Sequence, residues 1–565
     1  MRKLGKKDVY LLILGIALII SLVGNGVLIF KLTQVPSFNP QDPTTLVVGT
    51  ANGPATLEIV DCWDRASEDV LGQVVETLFT YDLRDPNLPR INLLAETYWW
   101  ENKTTLQIKL REGIIFHDST PFNSSAAKWN LDRLQFLINA WGNNTGEIAH
   151  TAFLLMRPND VTPIINNTFI NGEYNITITL NDAYGPFLNV LTLINTGMLS
   201  PTAHQDDATS FIELDAEKIV GTGPFVFENY TSNFEVVLSR WNDYWNRVAY
   251  FKTLHFKIYD YHDTNDAHQD MLNGLIDFNF LGIDQNIATY DEDKDITVKH
   301  YTDDIGIPSL VYQFLVFNTN FLNVTWRKCL SYAINYTYIL EDLQKNSVRA
   351  RSPISPGFGI SYNHSVNAPN FNLTKAREIM ISMGFGNIGW SDEQWITIAE
   401  SEHPYLTANY TYYSETSWRY DLYLSMKESF KLIGVSVDFY NTLWEFIGYW
   451  CPECFGTEDG SISPYGWAPD YLDVFNMIEP LLTIVWQYSP VNDSILNNMI
   501  NEALETIDDN ARNKIYEDIQ WYFTEVGYFH VPLYHPKVIY VHSADLLGVP
   551  YNAMEKFQAH GIWRV

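Results

Sequence analysis

The chain has 565 residues, of which 46% are hydrophobic and 15% aromatic, and its formal net charge is −31. Such a length exceeds one ordinary core and predicts two or more lobes, while the apolar content excludes a disordered chain. A surface this negative repels phosphate backbones, so the composition argues against a nucleic-acid partner.

The N-terminus joins a basic segment to a long apolar one. Residues 1–8 hold four cationic side chains, and residues 9–30 carry no charge. A bilayer core takes about 20 apolar residues, whereas the apolar region of a signal peptide has about 7–15. We therefore expect an uncleaved transmembrane anchor at 9–30, with a cleaved signal of unusual length as the alternative. The positive-inside rule then places a short stalk, residues 31–43, and the rest of the chain outside the cell.

Two further features fit an extracellular location. N-x-S/T sequons, which are acceptors for N-glycans in secreted proteins, begin at Asn102, Asn123, Asn143, Asn166, Asn175, Asn229, Asn323, Asn335, Asn363, Asn372, Asn409 and Asn492. Cys451 and Cys454 form a CPEC pair that suits a small disulfide loop or half of a zinc site. No second CxxC or neighbouring His pair completes a zinc site, so no metal is expected.

Beyond the stalk, hydrophobic periodicity predicts alternating strands and helices. The pattern predicts a strand at TTLVVGTA, a helix at EDVLGQVVETLFTYD, paired strands in TTLQIKLREGIIFHD around a turn at Glu112 and Gly113, a helix at SSAAKWNLDRLQFLI, a strand at YNITITLND and a hairpin at GPFVFENYTSNFEVVLSR. This mixture of elements indicates an α/β protein.

The second half continues the alternation, and glycines mark several helix ends. DAHQDMLNGLIDFNF predicts a helix closed by Gly274 and then a strand, and YQFLVFNTN a strand before the helix WRKCLSYAINYTYILEDL, where Cys329 is expected as a buried thiol. Two further helices are expected to stop at Gly384 and Gly434, the second before a strand. The run YFHVPLYHPKVIYVHSADLLGV predicts strands.

Several catalytic and nucleotide-binding motifs are missing from the sequence. There is no GxxxxGK[ST] phosphate loop, no HExxH, no GxSxG and no GxGxxG after a strand. His530 and His535 lie in a strand-like run and are expected to be structural. The chain is therefore expected to use no cofactor and to have no catalytic residues.

Seven segments carry a pattern that occurs together in one protein family. The most specific is GTGPFVFENYTSNFEVVLSRWNDYW, residues 221–245; the others are LQIKLREGIIFHDSTPFNSSAAKWNLDRL, NGLIDF, FNTNFLNVTWRKCLSYAINYTYIL, FNLTKAREIMISMGFG, LIGVSVDFYNTLWEF and GWAPDYLDVFN. In this order they resemble the large extracytoplasmic solute-binding proteins of ABC importers, the dipeptide-, oligopeptide- and nickel-binding type. The resemblance extends over nearly the whole chain after the stalk. Ser119, where the family usually has Gly, and Asn335, where it usually has Asp, depart from the pattern.

The resemblance implies an α/β fold of two lobes, of the periplasmic-binding-protein type. The first lobe is expected at residues 44–312 and 527–565, with an extra subdomain inserted at about 76–214, and the second lobe at 313–526. The segments YQFLVFN and the stretch before VPLYHP are expected to cross between the lobes as a hinge. The ligand is then expected in the cleft between the lobes.

The same resemblance implies ligand contacts in the segment GWAPDY. Asp470 is expected to accept the α-ammonium group of a peptide, with Gly466 and Trp467 beside it and Trp444 as a second aromatic wall. A carboxylate in a cleft that excludes water gains a strong bond to a cation, and costs desolvation when left alone. The alternatives are that Asp470 caps a turn after a proline and that the two tryptophans belong to the core.

Further contacts are expected from the first lobe and the hinge. Trp63, Asp64 and Arg65 match a ligand-contacting loop of the family, and Tyr312 and Tyr534 lie near the hinge strands. The alternatives are a solvated helix start for the first three residues and simple packing for the two tyrosines.

The expected function is capture of a peptide outside the cell and its delivery to a separate permease driven by separate ATPase subunits. Those partners follow from the single predicted span and the missing nucleotide loop. Oligosaccharide binding in the same fold is the nearest alternative, because aromatic clefts also stack sugar rings. An anchored receptor or adhesin, or a glycoside hydrolase with two carboxylates, are further alternatives, although no carboxylate spacing supports the hydrolase.

Overall fold

The computed structural model describes residues 42–157, 162–214, 218–260, 264–412, 417–441, 462–482, 491 and 493–565. The predicted anchor, nearly all of the stalk, Trp444 and the CPEC pair lie outside these residues. Within them, no helix has both the length and the apolar character needed to cross a membrane.

The strands, in chain order, are β1 (Thr45–Ala51), β2 (Phe79–Tyr81), β3 (Arg90–Asn92), β4 (Ala95–Asn102), β5 (Thr105–Leu110), β6 (Ile165–Gly172), β7 (Asn175–Leu180), β8 (Phe225–Thr231), β9 (Glu235–Arg240), β10 (Thr253–Tyr259), β11 (Phe278–Asn279), β12 (Ile296–Lys299), β13 (Tyr312–Phe317), β14 (Ser347–Arg349), β15 (Leu406–Tyr412), β16 (Val435–Asn441), β17 (Ile462–Trp467), β18 (His530–Pro536), β19 (Tyr540–Ser543), β20 (Leu546–Leu547) and β21 (Trp563–Arg564).

The α-helices are α1 (Arg65–Val74), α2 (Ser124–Leu137), α3 (Phe187–Val190), α4 (Asn265–Leu272), α5 (Ile283–Asp291), α6 (Tyr301–Ile305), α7 (Val324–Tyr332), α8 (Tyr336–Tyr338), α9 (Leu373–Ser382), α10 (Asp392–Ala399), α11 (Trp418–Lys431), α12 (Val474–Leu482), α13 (Ser494–Glu505) and α14 (Asp509–Trp521). Short 3₁₀ or π segments lie at His150–Leu155, Ile194–Thr196, Gln205–Asp207, Ile339–Leu343, Pro356–Ser361, Tyr522–Val526 and Ala559–Gly561.

Two large mixed sheets form the centres of the two lobes. The first has the order β12-β19-β11-β1-β10-β9-β8, and the second has the order β14-β18-β13-β17-β15-β16. A separate four-stranded antiparallel sheet, β4-β5-β7-β6, lies within the predicted inserted subdomain. Strand β1 is apolar in its middle and pairs in parallel with both β10 and β11, as expected for a strand buried on two faces.

The chain crosses between the two large sheets at two places that lie side by side. One crossing precedes β13, and the other lies between β18 and β19. The backbone N–H of Ser309 donates to Pro536 O at 3.0 Å, and His535 Nδ1 lies 2.8 Å from Val311 O. These contacts tie the two crossings together at one point, as a hinge requires.

The second crossing corrects the predicted lobe boundary at about residue 527. Strand β18, VPLYHP with its flanking residues, belongs to the second sheet and pairs with β13 and β14. The crossing therefore comes after Pro536 and not before VPLYHP, because β18 is buried along almost its whole length by the second lobe.

Local structure follows the predicted pattern in most places, with two differences. Helix α1 ends at Val74, before the end of the predicted stretch EDVLGQVVETLFTYD, and Val75 and Leu78 are buried in the extended segment that follows. The segment GIIFHD does not form the second strand of a hairpin, since β5 pairs instead with β4 and β7. The glycine stops are confirmed by left-handed φ angles of 65° at Gly274, 92° at Gly384 and 75° at Gly434.

The Ser119 departure has a measurable consequence. Its φ is +67°, a conformation that glycine adopts freely and that costs about 1 kcal/mol for other residues. We expect Ser119→Gly to raise the free energy of unfolding by about 0.5–1 kcal/mol, measured by urea denaturation. As a control, Ser125→Gly, in the first turn of α2, is expected to lower it, because glycine is a poor helix former. A loss of stability in Ser119→Gly would contradict the strain argument.

Candidate ligand cleft between the lobes

A cleft of about 410 Å³ lies where segments of both lobes meet. Its wall combines the start of α1, residues 193–195, the crossing before β13, the end of β17 and the C-terminal turn at 553–556. The size is within the range of about 300–1,000 Å³ that is typical of small-molecule sites. Six of the predicted site residues line this cleft: Trp63, Asp64, Arg65, Gly466, Trp467 and Asp470.

The segment after β17 reaches the cleft from the second lobe. Strand β17 pairs antiparallel with β13, which places Gly466 opposite Gln313 and Trp467 opposite Tyr312. A Cβ at Gly466 would overlap the terminal amide of Gln313, so a larger residue here would displace that side chain. The Trp467 indole N–H donates to Asn476 O at 3.0 Å, which holds its ring against the wall.

Asp470 is a partly buried carboxylate without an ion pair among the described residues. Asn476 holds it in place: its Nδ2 donates to Asp470 Oδ2 at 3.0 Å, and its Oδ1 accepts the Asp470 backbone N–H at 2.7 Å. Burial raises the pKa of Asp470 to about 6, against the Asn476 hydrogen bond that lowers it, and the nearby Glu68 raises it further. Asp470 therefore lines the cleft with its carboxylate partly shielded from solvent.

The first-lobe residues of the cleft have mixed roles. Asp64 caps α1, accepting the Ser67 N–H at 2.9 Å, and the Arg65 Nε–H is shared between the two carboxylate oxygens of Asp69 at 2.9 and 2.8 Å. The predicted helix start is thus observed, and both charges already have protein partners. Trp63 differs, because it is 68% exposed while lining the cleft.

A buried polar network fixes the loop that carries Asp470. Three residues later, Asp473 accepts hydrogen bonds from Tyr516 at 2.5 Å and from Asn189 at 3.0 Å, and it pairs with Arg512 at 3.3 Å. Asn189 lies in the predicted subdomain, so the network joins the lobes beside the cleft. Apolar side chains of the same segment, such as Phe475, belong to the larger core cluster, which includes residues of both large sheets.

The remaining predicted site residues lie elsewhere. Tyr312 is wholly buried and stacks on Phe314 at 4.5 Å, and Tyr534 is 4% exposed and packs against Trp418 at 5.5 Å. Neither tyrosine lines the 410 Å³ cleft, because β13 and β18 are interior strands covered on both faces. Trp444 lies outside the described residues.

The sequence did not predict three charged residues of the cleft wall, the ion pair of Glu68 with Lys556 and the carboxylate Glu555, or Arg419, which does not itself line the cleft. Glu555 lines it from the C-terminal turn, outside every segment of the family resemblance. Arg419 has no carboxylate within 4 Å among the described residues; its Nη2 donates at 3.0 Å to Gln313, the residue that lies over Gly466. Neither Glu555 nor Arg419 belongs to a recognisable local motif, and their positions depend on the tertiary structure.

Comparison with known proteins agrees with this architecture. The family model for bacterial extracellular solute-binding proteins, family 5 (middle), matches residues 91–488. The glutathione-binding protein GsiB of Shigella flexneri serotype 5b is 24% identical over 524 residues, covering 89% of this chain and 91% of that protein.

Solved structures share the fold at low sequence identity. HbpA2 from Haemophilus parasuis superposes with a TM-score of 0.76 at 18% identity, covering 92% of this chain and 100% of that one. The ABC transporter-associated periplasmic binding protein DppA from Helicobacter pylori, in complex with the peptide STSA, gives 0.70 at 18% identity, covering 92% and 98%. These likenesses confirm the predicted two-lobed α/β fold.

The match to the family model extends over well more than half of the chain. Proteins of this family are extracytoplasmic solute-binding components of ABC transporters, so the chain is a binding protein and not an enzyme. On this evidence the protein belongs to the bacterial extracellular solute-binding proteins of family 5.

Proposed function

We propose that this protein captures peptides with a free amino end in the cleft and delivers them to a separate ABC permease. The observation that carries the proposal is Asp470, a carboxylate on the cleft wall with no cation within 4 Å among the described residues. Burying a charge without a partner is costly, and an incoming ammonium group repays that cost with a charge-assisted hydrogen bond. The free energy that the empty protein loses by burying this charge is recovered when a cationic ligand binds.

The relatives support this ligand class. The curated relatives are named for glutathione, which is itself a peptide with a free ammonium group, and DppA is described in complex with the peptide STSA. A peptide also carries a carboxylate at its other end. Arg419 has no carboxylate within 4 Å among the described residues, and it donates to Gln313, which lies against Gly466. It is therefore our candidate for binding the carboxylate end of the peptide.

The remaining parts of the proposal concern location and partners. We place the ligand-binding lobes outside the cell, held by the apolar N-terminal segment as an anchor, with glycans on exposed sequons such as Asn102 and Asn229. Residues around Ser309 and Pro536 act as the hinge between a first lobe, which includes the C-terminal tail, and a second lobe. Permease and ATPase subunits are separate chains.

Oligosaccharide binding is the second candidate, and one observation favours it. Trp63 lines the cleft and is 68% exposed, as a residue that offers a stacking surface to a sugar ring would be. In that case Asp470 would accept sugar hydroxyls instead of an ammonium group.

Thermal unfolding of the full-length protein with ligand mixtures tests the two candidates. We expect di- and tripeptides to raise the melting temperature, because ligand at 100 times Kd stabilises the folded state by about 2.7 kcal/mol. Oligosaccharides at equal concentration are expected to leave it unchanged. Stabilisation by the sugars alone would overturn the peptide proposal.

A further inference from the structure

The charges on the cleft wall are unequally satisfied. Both cations already have partners: Arg65 pairs with Asp69, and Lys556 Nζ lies 2.6 Å from Glu68. Asp64 is occupied as the cap of α1. Three carboxylates of the wall, Asp64, Asp470 and Glu555, have no cation within 4 Å among the described residues, and of these Asp470 and Glu555 cap no helix. The cleft wall therefore carries an excess of negative charge at Asp470 and Glu555.

Glu555 is held at the wall by a rigid turn. Asn552, wholly buried, donates from Nδ2 to Pro550 O at 2.8 Å and to Lys556 O at 3.0 Å, and its Oδ1 accepts the Lys556 N–H at 3.1 Å. Glu555 itself has φ of +58°. A glutamate in this left-handed conformation costs about 1 kcal/mol relative to glycine, so the side chain is present at an energetic cost.

The two carboxylates lie in different surroundings within the one cleft. Glu555 accepts a hydrogen bond from Ser309, in the crossing before β13, whereas Asp470 is bonded to Asn476. Burial raises the pKa of both groups; Ser309 and Arg65 lower the pKa of Glu555 and Asp284 raises it, whereas Asn476 lowers the pKa of Asp470 and Glu68 raises it. Asp470 and Glu555 therefore meet different neighbours along the cleft wall.

We propose that Glu555 is a second anionic anchor, which makes the cleft selective for peptides that carry a cationic side chain in addition to the free amino end. This inference rests on the proposed peptide function. Peptides containing lysine, ornithine or arginine near the amino end form the ligand class. Like Asp470, Glu555 is a partly buried carboxylate, and it gains an ion pair only from a ligand that supplies a cation.

Paired tripeptides measure this selectivity by isothermal titration calorimetry with the full-length protein. Each alanine tripeptide carries either lysine or norleucine, its uncharged counterpart, at position one, two or three. At one position we expect the lysine peptide to bind at least tenfold more tightly than its norleucine partner. In Glu555→Gln this ratio is expected to fall to about one, whereas Glu505→Gln, the same change on an exposed helix end, keeps the wild-type ratio.

A second variant separates selectivity from folding. Glu555→Gly removes the carboxylate and suits the φ of +58°, so it is expected to unfold at or above the wild-type temperature and still to lose the lysine preference. Neutral peptides binding without any lysine preference in the wild type would overturn this inference alone. A preference retained in both variants would do the same. Failure of every peptide to bind would overturn the proposed function together with the inference.

Discussion

Replacing Asp470 with asparagine is expected to weaken the binding of a peptide with a free amino end by about 100-fold. The change removes the negative charge and keeps the side-chain shape, including an oxygen that can accept from Asn476. A factor of 100 corresponds to about 2.7 kcal/mol, within the range of about 2–5 kcal/mol for loss of one partner of a buried charge pair. Calorimetric titration with a tripeptide and its N-acetylated form measures the effect.

The acetylated peptide is the control, since it has no ammonium group to lose. We expect it to bind weakly to the wild type and to be unaffected by the substitution. An equal loss for both peptides, or no loss for either, would show that Asp470 does not recognise the amino end.

The pH dependence of Kd in the same titration distinguishes recognition of the ligand by Asp470 from a purely structural role of this residue. Because burial raises the pKa of Asp470 in the empty protein to about 6, the carboxylate is ionised above that pH and takes up a proton below it. A protonated Asp470 cannot pair with an ammonium group, and the α-amino group of the peptide loses its own proton near pH 8, so Kd is expected to be lowest at about pH 7. Below pH 6 it rises, by up to tenfold per pH unit, until the pKa of the bound state is reached. Asp470→Asn should lack this component.

Removal of the Asp473 carboxylate is expected to have the second large effect, a loss of folding stability. Asp473→Ala is expected to lower the free energy of unfolding by about 3 kcal/mol, because it leaves the buried Arg512 and Tyr516 without their interior partner. The side chains of Asp473 and Arg512 are only 2% and 3% exposed. We also expect weaker peptide binding, since the network fixes the loop that carries Asp470. Urea denaturation measures the stability change.

Asp509 provides a matched control, because it pairs with the same guanidinium from the surface. Its carboxylate lies 2.6 Å from Arg512 but is 51% exposed. Exposed pairs contribute about 0–1 kcal/mol, so Asp509→Ala is expected to cost less than about 1 kcal/mol. Equal losses in the two variants would show that burial of Asp473 is not what makes the network stabilising.

Much of the local structure could be predicted from short stretches of sequence. The strand β1, the hairpin of β8 and β9, and the helices that end at Gly274, Gly384 and Gly434 are confirmed. Each depends on interactions within a few residues, such as hydrophobic periodicity and the tolerance of glycine for positive φ. The predicted second strand in GIIFHD was wrong, because β5 found its partners in β4 and β7.

The candidate site could be predicted only in part. The family pattern pointed to Asp470, Trp467 and the loop at Trp63, and the structure brings these residues to one cleft. The same reasoning placed Tyr312 and Tyr534 near the ligand, whereas both are packed inside the second lobe. Proximity to a hinge strand in sequence does not determine which face of that strand meets the cleft.

By itself, then, the sequence determined the order of the elements, the two-lobed class and the carboxylate of GWAPDY as a candidate anchor. Only the tertiary structure decided that β18 belongs to the second sheet and that Glu555 lies in the same cleft as Asp470. It also decided which charges are compensated, since Arg65 and Lys556 are paired while these two carboxylates are not. The physical reason is range: helix and strand preferences act between near neighbours, whereas burial and ion pairing depend on segments that folding brings together from distant parts of the chain.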